Sequence, residues 1–524
     1  MLPIIMFMNG LCLMVLEMVG ARLLAPWLGT STIVWTSLIG VILAFLSLGY
    51  WLGGKLADNL LTPRPSAHHE GKEASAPSPA LHNKAKGVLA RLLLCAALGV
   101  MLSALLQQPL LGWLTAQSTS LHVNAVLAAV VLFALPGLVS GMISPFTMRL
   151  AITSQAKAGS TIGRLNAIST IGSIVGTFLG GFVLISWFGS REIIYAIAAC
   201  YLLVALCTHR LPASAWGAAL VLFCASLGFE WIAQVHAAAT HTTTLETPYN
   251  TLRIQEGFYS GRPARFLSTD PGSAQSGIFL DNPQELMFAY TKFYRLGTAL
   301  VPHPSRVLML GGGGYSVPKW LLGNGGPLGA GASLDVVELD PGVTRVAKED
   351  FSAPLGDARM QVFHEDARTF INRAARASNH PTYPLIFADV FNSHYSVPFH
   401  IGTREAAATM RSLLDDNGVL LMNIISAVEG DNGRLLRSIY HAFQGEFAEV
   451  VLLPVQSKYE GTMVQNVMLL AFPQKGMMTE ETLANLPPDV RALYENRWTR
   501  PVAEDVPALA DNFAPVERYM LRTQ

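Results

Sequence analysis

A run of four glycines, Gly311, Gly312, Gly313 and Gly314, follows the apolar stretch Arg306-Val-Leu-Met-Leu and precedes a helical stretch at 317–322. Glycines at such a turn let the backbone approach a nucleotide without Cβ clashes and expose the amides of a helix N-terminus. A plain tight loop would look the same, so the run acquires meaning only from what comes after it. Some 25 residues on, the second apolar stretch Leu334-Asp-Val-Val ends in Glu338, where a carboxylate can accept both hydroxyls of a ribose. A third stretch leads to Asp366 and Ala367, an acid and a neighbouring amide suited to an adenine edge, and a fourth, Leu385-Ile-Phe-Ala, ends in Asp389. Open α/β sheets bind ligands outside the carboxyl ends of their strands, so four such ends in succession predict one crevice.

The elements that must hold these residues belong to the second half of the chain. At 524 residues the chain is too long for one core, and two domains are expected. Only 14% of residues are charged and 51% are hydrophobic, a balance that points to membrane burial. Seven apolar stretches, 3–25, 33–54, 88–108, 121–148, 165–188, 192–208 and 213–236, are long enough to cross a bilayer as helices. The count is open by one, because Pro136-Gly137 would kink or break the fourth. The first stretch has no basic leader and carries Glu17 and Arg22, which predicts a retained span rather than a signal peptide. Those two charges leave open an ion pair, an orientation role or a small-molecule site. Gly172, Gly176 and Gly180, at four-residue spacing, predict a close helix–helix contact.

Residues 59–87, rich in Pro, Ser, Ala and charge, form a loop between spans. After Thr240 short β-type runs alternate with amphipathic stretches. The expected organisation is therefore an all-α multi-span transmembrane bundle at 1–244, then an α/β Rossmann-like domain with a small N-terminal β element at 245–524. A multi-pass protein of the inner (cytoplasmic) membrane follows. The basic residues Lys55, Arg64, Lys72, Lys84, Lys86 and Arg91 flank one loop, and Arg149, Lys157 and Arg164 another, which makes both cytoplasmic. With seven spans the C-terminal domain then emerges on the far side, whereas the nucleoside ligand that the glycine run and its acids predict favours the cytoplasm, so the side stays open. A net charge of zero gives no reason to expect nucleic acid, and the five cysteines match no zinc or redox spacing. No metal is expected.

In order and spacing, the glycine run, Val337-Glu338-Leu339-Asp340, Asp366-Ala367-Arg368 and Asp389 resemble the core motifs of spermidine synthases, the polyamine aminopropyltransferases. The resemblance covers about 245–470, including the opening segment Glu246-Thr-Pro-Tyr249-Asn250 and Gln275, and the whole layout is similar to membrane-fused members of that family. It implies S-adenosylmethionine or its decarboxylated form as substrate, alkyl or aminopropyl transfer from sulfur to an amine acceptor, and release of methylthioadenosine. By the resemblance, Glu338 would hold the ribose, Asp366 and Ala367 the adenine, Gln275 the amino-acid or aminopropyl arm, and Gly311, Gly312 and Gly313 the cofactor loop. Asp389 would be the general base, since an amine must lose a proton to attack a carbon beside a sulfonium.

Three departures stand beside the matches. Gly314 stands where the family has an aspartate for the aminopropyl amine, Asn392 where it has a second aspartate for the diamine, and Tyr290 at the place expected for a histidine. Tyr290, Tyr315, Asn392 and His394 are the substitutes on the substrate side; aromatic faces suit a sulfonium by cation–π contact, although any one of the tyrosines could equally be core. Two absent anions put putrescine recognition in doubt. The alternatives are intramolecular cleavage of the sulfonium, transfer to a non-diamine acceptor, or a membrane transporter or sensor with a nucleoside-binding domain, the last favoured only by the length of the bundle and by the short motif Gly53-Gly-Lys55-Leu-Ala-Asp58. Expected partners are the small-molecule donor, an amine and the lipid bilayer, with self-association left open.

Overall fold

A computed structural model describes residues 1–61, 79–117, 120–152, 154–269, 274–390 and 398–520. The chain divides into two compact units, Met1–Ala238 and Ala239–Gln524.

Among the described residues the first unit is built of helices: α1 (Leu2–Leu28), α2 (Thr32–Leu61), α3 (Pro79–Ala116), α4 (Leu121–Ala151), α5 (Ala158–Phe178), a π-helical turn (Leu179–Leu184) leading into α6 (Ile185–Trp187), α7 (Ser190–Thr208) and α8 (Ala213–Ala239). Among the described residues six helices are long and apolar enough to cross a membrane, α5 to α6 counting as one; the seventh stretch, in α8, is a shorter apolar helix over Ala213–Phe229. The fourth span does not break. Pro136 and Pro145 both lie inside the continuous α4.

Small residues set the packing. A Cβ at Gly172 would lie 2.1 Å from the Phe7 carbonyl oxygen and one at Gly176 2.5 Å from that of Leu11, so α5 meets α1 backbone to backbone, while Gly180 has ordinary clearance at 3.7 Å. Polar side chains tie the same helices together. Asn9 donates to the Ser140 carbonyl (3.1 Å) and accepts from Tyr201 Oη (3.1 Å), which also meets Ser140 Oγ, a closed network joining α1, α4 and α7. Arg22 donates to the Ile185 carbonyl just past the π turn (3.3 Å), and Arg149 pairs with Asp58 across α4 and α2 (3.0 Å). Arg22 therefore serves helix packing in this arrangement.

The second unit opens with a four-stranded antiparallel sheet in the order β1 (Thr242–Glu246), β2 (Thr251–Tyr259), β3 (Arg262–Ser268), β4 (Ser276–Phe279). After α9 (Tyr294–Leu300) the chain builds a seven-stranded sheet from β5 (Arg306–Leu310), β6 (Ser333–Val337), β7 (Met360–Phe363), β8 (Tyr383–Ala388), β9 (Leu414–Ser426), β10 (Glu449–Pro454) and β11 (Gln465–Phe472). Their order is β10-β11-β9-β8-β5-β6-β7, parallel from β9 to β7 with β10 and β11 antiparallel at one edge. Connecting helices include α10 (Ser316–Leu322), α11 (Pro341–Asp350), α12 (Ala367–Arg376), α13 (Arg404–Leu413) and α14 (Arg434–Gln444).

Both faces of the sheet are covered, which is why its strands read as unbroken apolar runs. Leu308, Leu310 and Ile386 enter one core and Val307, Met309, Leu385 and Phe387 the other, following the two-residue period of a strand. The strand order reverses between β5 and β8. This is the switch point at which a doubly wound sheet opens a crevice.

Candidate active site

The switch point brings the end of β5 beside the end of β8. The Asp389 amide donates to the Leu310 carbonyl (2.8 Å) and the Gly311 amide to that of Val337 (2.8 Å), fixing the glycine turn between its two neighbouring strands. Gly311 has φ 91° and a Cβ there would lie 2.1 Å from the Asp389 carbonyl oxygen, so both conformation and space demand glycine. Around this turn lies a cavity of about 360 Å³, within the range of small-ligand sites. Its walls include Gln275, Tyr290, Gly311, Gly312, Gly313, Glu338 and Asp389.

Glu338 is the anchor of one side. Its Oε2 accepts from the amides of Gly312 (2.9 Å) and Gly313 (3.2 Å), and its Oε1 from that of Asp340 (3.0 Å). Burial raises its pKa, the three amides pull it back, and neighbouring Asp340 adds to the rise. With two amides on Oε2 and one on Oε1, the lone pair left for a ligand hydroxyl is on Oε1. Asp340 itself caps α11 through the Gly342 amide (2.8 Å) and accepts from Thr247 of the opening segment (2.5 Å).

Asp389 faces the cavity from the opposite side. Asn423 Nδ2 donates to its Oδ1 (2.9 Å), and Asn466 Nδ2 donates in turn to Asn423 Oδ1 (3.0 Å), linking β8, β9 and β11. Burial raises the Asp389 pKa, and hydrogen bonds from Asn423 and Tyr290 offset part of that rise. Tyr290 is pushed well above the usual phenol range by burial first and then by the Asp389 charge. It therefore stays a neutral donor to the carboxylate.

Other expected residues fall elsewhere. Tyr315 is not a cavity residue: it is fully buried with its hydroxyl on Thr344 Oγ1 (2.8 Å), and its ring sits under the glycine turn, 2.7 Å from where a Gly312 Cβ would stand. An aromatic after a glycine run looks the same in sequence whether it turns outward or inward. Asp366 stands at the end of β7 but does not line the cavity; its Oδ1 caps α12 through the Thr369 amide (3.0 Å) and its Oδ2 meets His400 Nε2 (3.0 Å), while Ala367 is the first residue of that helix. Asn392 and His394 lie outside the described residues. Gly314 lines no part of the cavity; its amide donates to Ser276 Oγ (2.9 Å), and a Cβ there would meet Ser276 Cβ at 2.9 Å.

Sequence reasoning missed Ser276, Asn423, Gln456 and Asn466. A single asparagine inside the apolar run Gly418-Val-Leu-Leu-Met-Asn423-Ile-Ile was the available signal, since a polar residue in a doubly covered strand must be answered by a partner. Lys319 is also buried, donating Nζ to the Phe351 carbonyl (2.8 Å), and desolvation pulls its pKa down to about 8. Among the described residues no group of three His, Cys, Asp or Glu side chains is placed to hold a metal.

A doubly wound sheet with a glycine turn at its switch point and an acid at the end of the next strand defines a Rossmann-like nucleotide-binding domain. No protein-family model matches the chain. Over 148 residues it is 34% identical to the polyamine aminopropyltransferase of Vibrio vulnificus, taking in 28% of this chain and 46% of that enzyme. Over 239 residues it is 25% identical to the N-terminal histidine N-methyltransferase of Emericella nidulans, 45% of this chain and 40% of that one. The matches thus span less than half the length of either curated relative. Among solved structures, a probable spermidine synthase from Corynebacterium glutamicum aligns over 52% of this chain and 98% of its own at 19% identity with TM-score 0.41. Human methyltransferase-like protein 13, in complex with SAH, aligns over 42% and 96% at 23% identity with TM-score 0.33. Over 148 residues the chain is thus similar in sequence to a polyamine aminopropyltransferase, and six of its described helices are long and apolar enough to cross a membrane.

Proposed function

We propose that the chain is a membrane-bound transferase acting on S-adenosylmethionine or its decarboxylated form, with a helical bundle at 1–244 and the transferase domain at 245–524. The observation that carries this reading is the single cavity shared by Gly311, Gly312, Gly313, Glu338 and Asp389 at the switch point. The relatedness to polyamine aminopropyltransferases supports the same class. In this reading Glu338 takes the ribose hydroxyls, and Asp389 lies at the reactive end. An amine nitrogen attacks the carbon next to the sulfonium as Asp389 accepts its proton. The C–S bond breaks with its electron pair passing to sulfur, which leaves as neutral methylthioadenosine. A raised carboxyl pKa brings the base closer to the operating pH, as general base catalysis favours. In this reading Asp366, whose Oδ2 now meets His400 Nε2, and the neighbouring Ala367 amide take the adenine.

A second reading, intramolecular cleavage of the sulfonium or transfer to an acceptor other than a diamine, is favoured by one observation: among the described cavity residues the only carboxylates are Glu338 and Asp389. The test is to incubate the purified full-length protein with each sulfonium, with and without putrescine, and to identify products by mass spectrometry. Methylthioadenosine together with an alkylated amine supports transfer, methylthioadenosine without amine product supports cleavage, and no turnover or binding of either sulfonium overturns both.

A further inference from the structure

The cavity has a side that the donor does not explain. Beyond Asp389 its wall is made by β9, β11 and the segment between β10 and β11, where Asn423, Asn466 and Gln456 alternate with Ile425, Val455 and Val464. We propose that this wall is the acceptor subsite for an amine with a neutral, largely apolar tail, and that Asn466 is its specificity-determining residue. The inference rests on the transferase reading given above.

The hydrogen-bond directions follow from chemistry. An ionised carboxylate only accepts, so Asn423 turns its amide nitrogen to Asp389 and its carbonyl oxygen away. That oxygen can only accept, so Asn466 must meet it with its own nitrogen. The relay therefore ends on the Asn466 carbonyl oxygen, a neutral acceptor. Gln465 cannot change this, because its amide is consumed within the loop: Oε1 accepts from the amides of Gln456 (2.6 Å) and Ser457 (3.0 Å), and Nε2 donates to the Ser457 carbonyl (2.9 Å).

A diamine would bring a second ammonium group to this wall. Removing an ammonium from water costs far more than the neutral side-chain amides of Asn466 and Gln456 return, and Ile425, Val455 and Val464 return nothing. An apolar tail of the same length is accommodated by those side chains instead. Both substrates present the same nucleophile to Asp389, so they differ only at the far end.

The test compares putrescine with pentylamine, which carries a terminal methyl in place of the distal ammonium, using the full-length protein and each sulfonium as donor. Wild type is expected to alkylate pentylamine with the higher kcat/KM. Asn466→Asp places an anion on the wall and should lower the pentylamine-to-putrescine ratio at least ten-fold while methylthioadenosine affinity, measured by calorimetry, stays unchanged. If that variant does not fold, Val464→Asp supplies an anion on the same wall and should shift the ratio in the same direction. A wild-type preference for putrescine, a ratio unmoved by either carboxylate, or sulfonium consumed without any amine product overturns the subsite and leaves the donor reading standing. Failure to bind methylthioadenosine overturns that reading and the subsite with it.

Discussion

The two sides of the cavity are built on different principles. On the β5–β6 side, backbone amides of Gly312, Gly313 and Asp340 converge on Glu338, all within 30 residues of one another. On the β9–β11 side, the Asn423 side-chain amide donates to Asp389 and Asn466 donates in turn to Asn423, 34 and 77 residues from Asp389 by number. The backbone cradle depends on glycines whose positions leave no room for a Cβ, whereas a side-chain relay can alter its chemistry with one substitution. Under the proposed transferase reading, the side with Glu338 suits a constant nucleoside and the side with Asn423 and Asn466 is where specificity can diverge.

The largest effect should come from breaking the junction of the two sides. Asp389→Asn keeps shape and loses charge, and kcat is expected to fall by about 10²–10⁴ with little change in sulfonium affinity. Because burial raises the Asp389 pKa, activity of the wild type should fall on acidification above the pH at which an exposed carboxylate would protonate. A pH profile with its acid limb in the ordinary carboxylate range, or full activity in the variant, would contradict the assignment.

Glu338→Gln should sharpen the contrast from the donor side. It removes the anion facing the ribose, and one charge-assisted hydrogen bond contributes ~1.5–3 kcal/mol, so both sulfonium and methylthioadenosine should bind roughly ten- to a hundred-fold more weakly. Calorimetry showing equal affinity for either ligand would remove Glu338 from the site.

Lys319 provides a smaller, pH-dependent effect beneath the glycine turn. Its folded pKa is lowered to about 8, whereas an unfolded lysine titrates near ~10.4. Between those values the unfolded chain binds the extra proton, so its contribution to stability increases with pH, by at most ~1.4 kcal/mol per unit, and the full burial penalty is present below about 8. Denaturant unfolding of wild type against Lys319→Met should show this slope in the difference; parallel curves would place the ammonium in contact with water.

The smallest effect is expected for Gly314→Asp. A Cβ there presses on Ser276, so the single substitution should leave any diamine-dependent rate nearly unchanged, and adding Ser276→Gly should make room. Diamine kinetics that rise with the single substitution would show that Ser276 yields.

The sequence by itself determined the glycine turn, the acids at the strand ends and the layers around them. Buried parallel strands must be apolar throughout, and their ends must carry the turn glycines and acids, so β5, β6, β7 and β8 and the residues Gly311, Glu338 and Asp389 stand where local pattern placed them. The apolar lengths of the helices and the Gly172 and Gly176 spacing were equally local, because span length and backbone approach are properties of a single segment. Only the tertiary structure decided that Tyr315 turns inward onto Thr344, that Asp366 meets His400, and that Asn423 and Asn466 complete the wall beside Asp389. Each of these depends on which strand lies next to which. An order in which β11 lies between β9 and β10 and runs against β9 is set by packing across the whole sheet, and no residue's own neighbours in the chain carry it.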